Sequence, residues 1–165
     1  MPLETAAFPL TTMSANLVSR TIYISRARQR YSQNRLMGFC ADFSARNVRE
    51  DITGFMIVAG DHFVQILEGA PERVATLIER IQHDQRHTDF RVLLQKNGVQ
   101  PAFAQWSMGL ANLNDDYHLS MSDAQALKHR VNAIIEAGER PRDGMMSLIR
   151  SLPTLLSAYA VRTAV

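Results

Sequence analysis

The chain predicts an α+β sandwich in which strands and helices alternate in the order strand, helix, strand, strand, helix, strand, strand. Three observations carry this prediction. Apolar and β-branched residues gather in short runs at 17–25, 51–69 and 90–95. Between these runs, about 33–46 and the stretch after Pro71 repeat apolar residues at helical spacing. Ala59-Gly60-Asp61 divides the central run into two strands that fold back on each other.

Residues 1–16 mix Pro, Thr and Ser with few apolar residues and read as a flexible leader. In the first strand, 17–25, Val18, Arg20, Ile22 and Ile24 share one face, and Leu17, Ser19, Thr21, Tyr23 and Ser25 share the other. A basic loop follows at 26–31. Ser32 is the expected N-cap of a helix at about 33–46, with Leu36, Phe39, Cys40 and Phe43 as its apolar stripe. Asn47 closes that helix, and the hairpin 51–69 comes next. Pro71 suits the first turn of a second helix, striped by Val74, Leu77, Ile78 and Ile81; Arg80 and Asp84, four apart, are expected to share a face of it. Residues 90–95 form the fourth strand and 106–110 a short fifth. Two helices interleaved with strands in this order make a ferredoxin-like sandwich, with both helices on one face of a mixed sheet. Beyond a polar linker, helices are expected at about 123–137 and 142–159, the second interrupted by Pro153. The domain organisation is thus a leader at 1–16, a domain at 17–112 and a C-terminal helical extension at 113–165.

Composition narrows the function. Of 165 residues, 46% are hydrophobic and 21% charged, a globular balance. The net charge is +2 and the basic residues are scattered without aromatic interleaving, so no nucleic-acid partner is expected. No apolar run approaches the roughly 18 residues of a membrane span. The single cysteine, Cys40, suits a reducing cytoplasm, and its place among apolar helix neighbours makes it a buried thiol rather than a nucleophile. His83 and His87 have the spacing of a metal pair but no third ligand, which favours two ordinary histidines at a helix end. Signatures of common enzymes, including GxSxG, Walker, GxGxxG and HExxH, are absent.

What remains is a set of hydrogen-bonding residues on elements this topology brings together. Gln65 sits among Val64, Ile66 and Leu67, where an amide must either face solvent or find partners inside. Tyr23 lies on the neighbouring first strand, Asn47 ends the first helix, and Arg80 and Asp84 lie on the second. With walls from Phe39 and Ile81, these groups would line a slot for a flat heteroaromatic ring. The alternative is that each is separately satisfied or exposed. As functions, a ring-binding sensor, a small acyl phosphatase recruiting Arg20 or Arg26 with Asn47, and a plain interaction module all remain open at this point. The loop after the first strand lacks the glycines of an anion nest.

The segments TIYIS (21–25), RNVREDITGFMI (46–57), HFVQILEG (62–69), RIQHDQRH (80–87) and FAQWSMG (103–109) resemble, in order and spacing, the BLUF domain, a blue-light sensor that uses FAD. The resemblance covers about residues 17–112 and implies the same ferredoxin-like fold. It implies that Tyr23 is the tyrosine that donates an electron and a proton to excited flavin. Gln65 matches the glutamine between that tyrosine and the flavin N5 and C4=O edge, and Asn47 the asparagine bonding C4=O and N3–H. Arg80 and Asp84 fall where members place polar groups near the other ring edge, and Arg86 matches a C2=O contact. Ser25, Trp106 and Met108 match positions around the glutamine. Two positions depart from the family: Arg46 stands where many members have Asn or His, and Phe39 where the wall is often Ile or Leu. The resemblance implies a non-catalytic photoreceptor without a covalent adduct. A rearranged Gln65 would red-shift the flavin, and the Trp106–Met108 strand would relay the change to the C-terminal helices. Those helices would pack on the free sheet face or self-associate, giving a homo-oligomer or a contact with a downstream signalling protein.

Overall fold

A computed structural model describes residues 16–104, 107–112, 129 and 161–162. Its elements are β1 (Val18–Ala27), α1 (Gln33–Arg49), β2 (Thr53–Ala59), β3 (His62–Gly69), α2 (Pro71–Gln82), β4 (His87–Val99), β5 (Gly109–Asn112) and β6 (Val161–Arg162). They form one mixed sheet in the order β4-β1-β3-β2-β5-β6. All pairings are antiparallel except β2 with β5. The expected α+β sandwich is the fold observed.

Each element has a local cause. Ser32 caps α1 by accepting a hydrogen bond from the Arg35 N–H at 3.2 Å. The helix runs three residues past the expected end, to Arg49, because Asn47 and Val48 continue its turn before Ile52 N bonds back to Asn47 O at 2.9 Å. Gly60, at φ +62°, makes the two-residue turn between Ala59 and His62. That turn fixes the hairpin register, with Met56 opposite Gln65 and Phe55 opposite Ile66. Gly54 is required by close approach, since a Cβ there would stand 2.4 Å from Ile66 O. Pro71 opens α2 as expected.

Three expectations need correction. The fourth strand is His87–Val99, much longer than 90–95. It is an edge strand held by backbone pairing to β1, so its polar ends carry no apolar pattern to read. The fifth strand begins at Gly109 rather than at 106, because its pairing to β2 starts with Phe55 opposite Gly109. Met108 therefore precedes the strand. Asp84 is not on α2, which ends at Gln82 with His83 as its cap. The short pairing of β5 with Val161–Arg162 was not expected from the sequence. The leader up to residue 15, Trp106, and the expected helices 123–137 and 142–159 lie outside the described residues, apart from an exposed helical His129.

The sheet has two buried faces. On one, Tyr23, Met56, Val58 and Leu67 pack with Leu36 and Cys40 of α1 and Val74 and Leu77 of α2. On the other, Ile22, Ile24, Phe55, Ile57, Val64 and Ile66 are all buried, and Phe103 packs on Phe55 with ring centroids 5.9 Å apart. This second face also holds the buried ion pair Arg20–Glu68, at 2.6 Å. Glu68 accepts further hydrogen bonds from the N–H groups of Ala102 (2.9 Å) and Phe103 (3.1 Å), and Arg20 donates to Gln100 O at 2.8 Å. Two paired charges thus tie residues 100–103 to the central strands. Glu68→Ala leaves Arg20 buried without its counter-charge and frees two backbone donors, so it is expected to cost about 3–5 kcal/mol. Denaturant unfolding checks this; a loss below about 1 kcal/mol would show that the network adds nothing to stability.

Candidate functional site

The helix face of the sheet and the gap between α1 and α2 enclose a cavity of about 220 Å³. Tyr23, Gln65, Phe39, Arg80, Ile81, Asp84 and Arg86, all singled out in the sequence, line it. So do Tyr31, Phe43, Arg46, Met56, Phe63 and His87. The walls are largely aromatic. Tyr31 meets Phe39 edge-on at 5.0 Å and stacks near Phe63 at 6.3 Å. Phe39 and Phe43 are one helical turn apart on α1, with ring centroids 6.3 Å apart.

At the floor, Tyr23 and Gln65 are direct cross-strand partners between β1 and β3. The Tyr23 hydroxyl donates to Gln65 Oε1. Gln65 Nε2 donates to the Met108 sulfur at 3.6 Å, a weak acceptor. Both side chains are buried, at 5% and 4% exposure. Burial pushes the Tyr23 phenol well above the usual tyrosine range; Asp84 adds to this, and Arg46 and Arg86 oppose it. The phenol is therefore neutral at any physiological pH. Phe90 packs on its ring at 4.7 Å.

Asn47 sits one turn beyond Phe43 on α1, fully buried. Its Nδ2 donates to Ser107 O at 2.8 Å, while its Oδ1 has no partner. Ser107 Oγ is also hydrogen-bonded to Ser44 Oγ. The segment 107–108 is thus held by Asn47 and Ser44 on one side and Gln65 on the other.

Three charged residues that line the cavity, Arg80, Asp84 and Arg86, are already engaged with one another or with Glu50. Arg80 donates to Glu50 at 2.8 Å. Arg86 and Asp84 form a fork: Arg86 Nε donates to Asp84 Oδ1 at 2.9 Å, and Arg86 N donates to the same oxygen. These bonds hold the Asp84 carboxyl below its usual range and the Arg86 guanidinium above its own. The Arg86 guanidinium lies 4.9 Å over Phe39 and 5.1 Å over Phe43. Arg46 stands 5.3 Å over Phe43, and its buried Nε has no hydrogen-bond partner.

Other predicted positions lie elsewhere. Ser25 is buried, but its unpartnered Oγ belongs to a residue lining a second cavity with His62, Phe90 and Arg91, not to the first cavity. His83 bonds Glu79 O at 2.8 Å on the surface, and His87 bonds Ile81 O at 2.7 Å inside. They do not form a pair. Sequence reasoning missed Met56 as a wall residue, although counting back from the Gly60 turn places it opposite Gln65.

The sequence matches the family model described as BLUF, sensors of blue light using FAD, over residues 18–109. The chain belongs to the BLUF family. Among curated relatives, the blue light- and temperature-regulated antirepressor BluF of Escherichia coli K12 is 29% identical over 97 residues, covering 59% of this chain and 24% of that protein. The photoactivated adenylate cyclase subunit beta of Euglena gracilis is 39% identical over 67 residues, covering 41% of this chain and 8% of that protein. The chain thus spans a quarter or less of these relatives. The BLUF protein BlrB in its dark state superimposes with a TM-score of 0.69 at 21% identity, over 85% of this chain and 98% of that one, and shares the fold. The BLUF region is a sensor domain rather than an enzyme, and its cofactor is FAD.

The cavity fits that group. Its aromatic walls suit a planar ring, and Arg46, which lines it, carries an orphaned donor at Nε; Asn47, expected at the site, is the next residue on α1 and has an orphaned Oδ1, but it is not among the residues that line the cavity. Cys40, buried in α1, has its thiol pushed up to about 12 by desolvation. Below that pH it stays protonated, so it is expected to resist a thiol reagent at pH 8 in folded protein and to react fully in denaturant; rapid labelling of folded protein would contradict the packing described.

Proposed function

We propose that this protein reports blue light through a change in the hydrogen bonding of Gln65, driven by loss of an electron and a proton from Tyr23. The observation that carries this reading is the buried Tyr23–Gln65 hydrogen bond, whose amide end rests on a thioether. Bound FAD supplies the blue absorption and, when excited, a strong oxidant. Asn47 Oδ1, Gln65 and Arg86 would hold the polar edge of the ring. Phe39 and Ile81 would cover its faces and exclude water.

Tyr23 cannot lose a proton alone, because burial opposes a phenolate. It cannot keep a positive charge either, for the same reason. Its electron and proton therefore leave together, and the only described acceptor at the hydroxyl is Gln65 Oε1. A protonated or tautomerised amide no longer has the same donor and acceptor ends. Gln65 then gives up its weak bond to Met108 at small cost and turns. Its hydrophobic strand neighbours Val64, Ile66 and Leu67 keep the backbone still during this exchange.

The change leaves the pocket through residues 107–108. Met108 loses the Gln65 amide, while Ser107 remains tied to Asn47 and Ser44. These two residues lead into β5, the strand paired with β6. The output is then altered self-association or contact with a signalling protein. That the relatives named above are an antirepressor and a cyclase supports an output to other protein units. No described helix is long and apolar enough to cross a membrane, and we place the protein in the cytoplasm.

Purified protein loaded with FAD is expected to be yellow and to shift its absorption reversibly to the red under blue light; no shift would overturn the photoreceptor reading. Tyr23→Phe and Gln65→Leu are each expected to retain FAD and lose the shift. Normal photocycling in both would remove the proposed switch while leaving the sensor reading intact.

A further inference from the structure

Three guanidinium groups line the cavity, and their situations differ. Arg80 and Arg86 each engage a carboxylate, Glu50 and Asp84, and their side chains are 48% and 39% exposed. Arg46 has no ion pair or hydrogen bond from its side chain among the described residues, only the face of Phe43, and its Nε is sealed from solvent. Desolvation and the nearby charge of Arg80 hold its pKa below the ordinary value. Glu50 and Asp84 oppose that shift but give the guanidinium no direct bond, and a sealed donor left without a hydrogen bond costs free energy. Such a cost is commonly kept where charge has to be met during function.

The position of Arg46 says where that charge arises. It is adjacent in sequence to Asn47, whose buried Oδ1 is also unpartnered. Both lie at the end of α1 one turn beyond Phe43, and the charge of Arg46 is felt at the Tyr23 phenol. Arg46, Tyr23 and Gln65 all line the pocket, so a ring held against the Tyr23–Gln65 pair lies within reach of the Arg46 charge. Arg80 and Arg86 line the same pocket, but their charge is already met by Glu50 and Asp84.

Resting on the reading that this pocket holds flavin, we infer that Arg46 is a tuning residue that meets the negative charge gained by the ring, making the bound flavin a stronger electron acceptor. In the proposed step Tyr23 is oxidised by one electron and releases its phenolic proton toward Gln65, while the ring is reduced by that electron. Until the proton follows, the ring carries a negative charge. A fixed cation in a low-dielectric wall stabilises that state more than the neutral one. Arg46 thus acts on the electron affinity of the ring rather than on its retention.

The test is the midpoint potential of bound flavin, measured by dye-coupled reductive titration in the full chain, with the affinities for riboflavin, FMN and FAD measured in parallel. Arg46→Gln is expected to lower the reduced-to-oxidised ratio at fixed potential at least tenfold, which for a two-electron couple is about 30 mV. Arg46→Lys is expected to recover at least half of that shift. Affinity for the three flavins should change by a common factor. A potential unmoved in Arg46→Gln with flavin bound would overturn the inference and leave the photoreceptor reading standing. So would an affinity loss confined to FMN and FAD, since Arg46 would then be a phosphate anchor. Failure of the unsubstituted protein to bind any flavin would overturn both.

Discussion

The hydrogen bond from Tyr23 to Gln65 depends on a register, and most of the described structure serves that register. β1 and β3 are central neighbours, and their antiparallel pairing sets the two residues directly opposite each other. A slip of one residue would send the phenol and the amide to different faces. The slip is opposed from both sides. The Gly60 turn locks β2 to β3, and the other face carries Ile22, Ile24, Val64 and Ile66, each buried and unable to exchange with a polar neighbour. Inside that frame the bond is shielded from water, where hydrogen bonds are stronger and unpaired partners costlier.

Charge is arranged in layers around this bond. At the cavity mouth, Arg80 and Arg86 are neutralised by Glu50 and Asp84. On the far face, Arg20 and Glu68 compensate each other and hold residues 100–103 through backbone donors. The chain is thus fastened to the far face at Phe103 and to the helix face at Ser107 and Met108. The firm bonds run through Glu68, Asn47 and Ser44, and the weak one runs from Gln65 to sulfur. This contrast makes the Gln65 end the part of the segment that yields at least cost.

The elements were legible because their signals are local. Ser32, Pro71 and Gly60 act within a turn of themselves, and the apolar stripes of α1 and α2 repeat at a period that needs no partner to be seen. The sequence predicts too short an edge strand β4, because its length comes from pairing with β1, not from its own side chains. Spacing alone puts Asp84 on a helix, whereas the chain leaves α2 two residues earlier and Arg86 captures the carboxylate.

The site divides in the same way. By itself the sequence determined that an amide lies in an apolar strand, that a tyrosine and an asparagine lie on elements the topology brings near it, and that ordered motifs match one family. Residue type and order carry that information. Only the tertiary structure decided which donors are already occupied. Arg80, Arg86 and Asp84 look as available in the sequence as Arg46 does, yet three are partnered and one is not. Hydrogen-bond satisfaction is a property of groups distant along the chain, such as Asn47 with Ser107 or Gln65 with Met108, and it exists only once folding has brought them within about 3–4 Å.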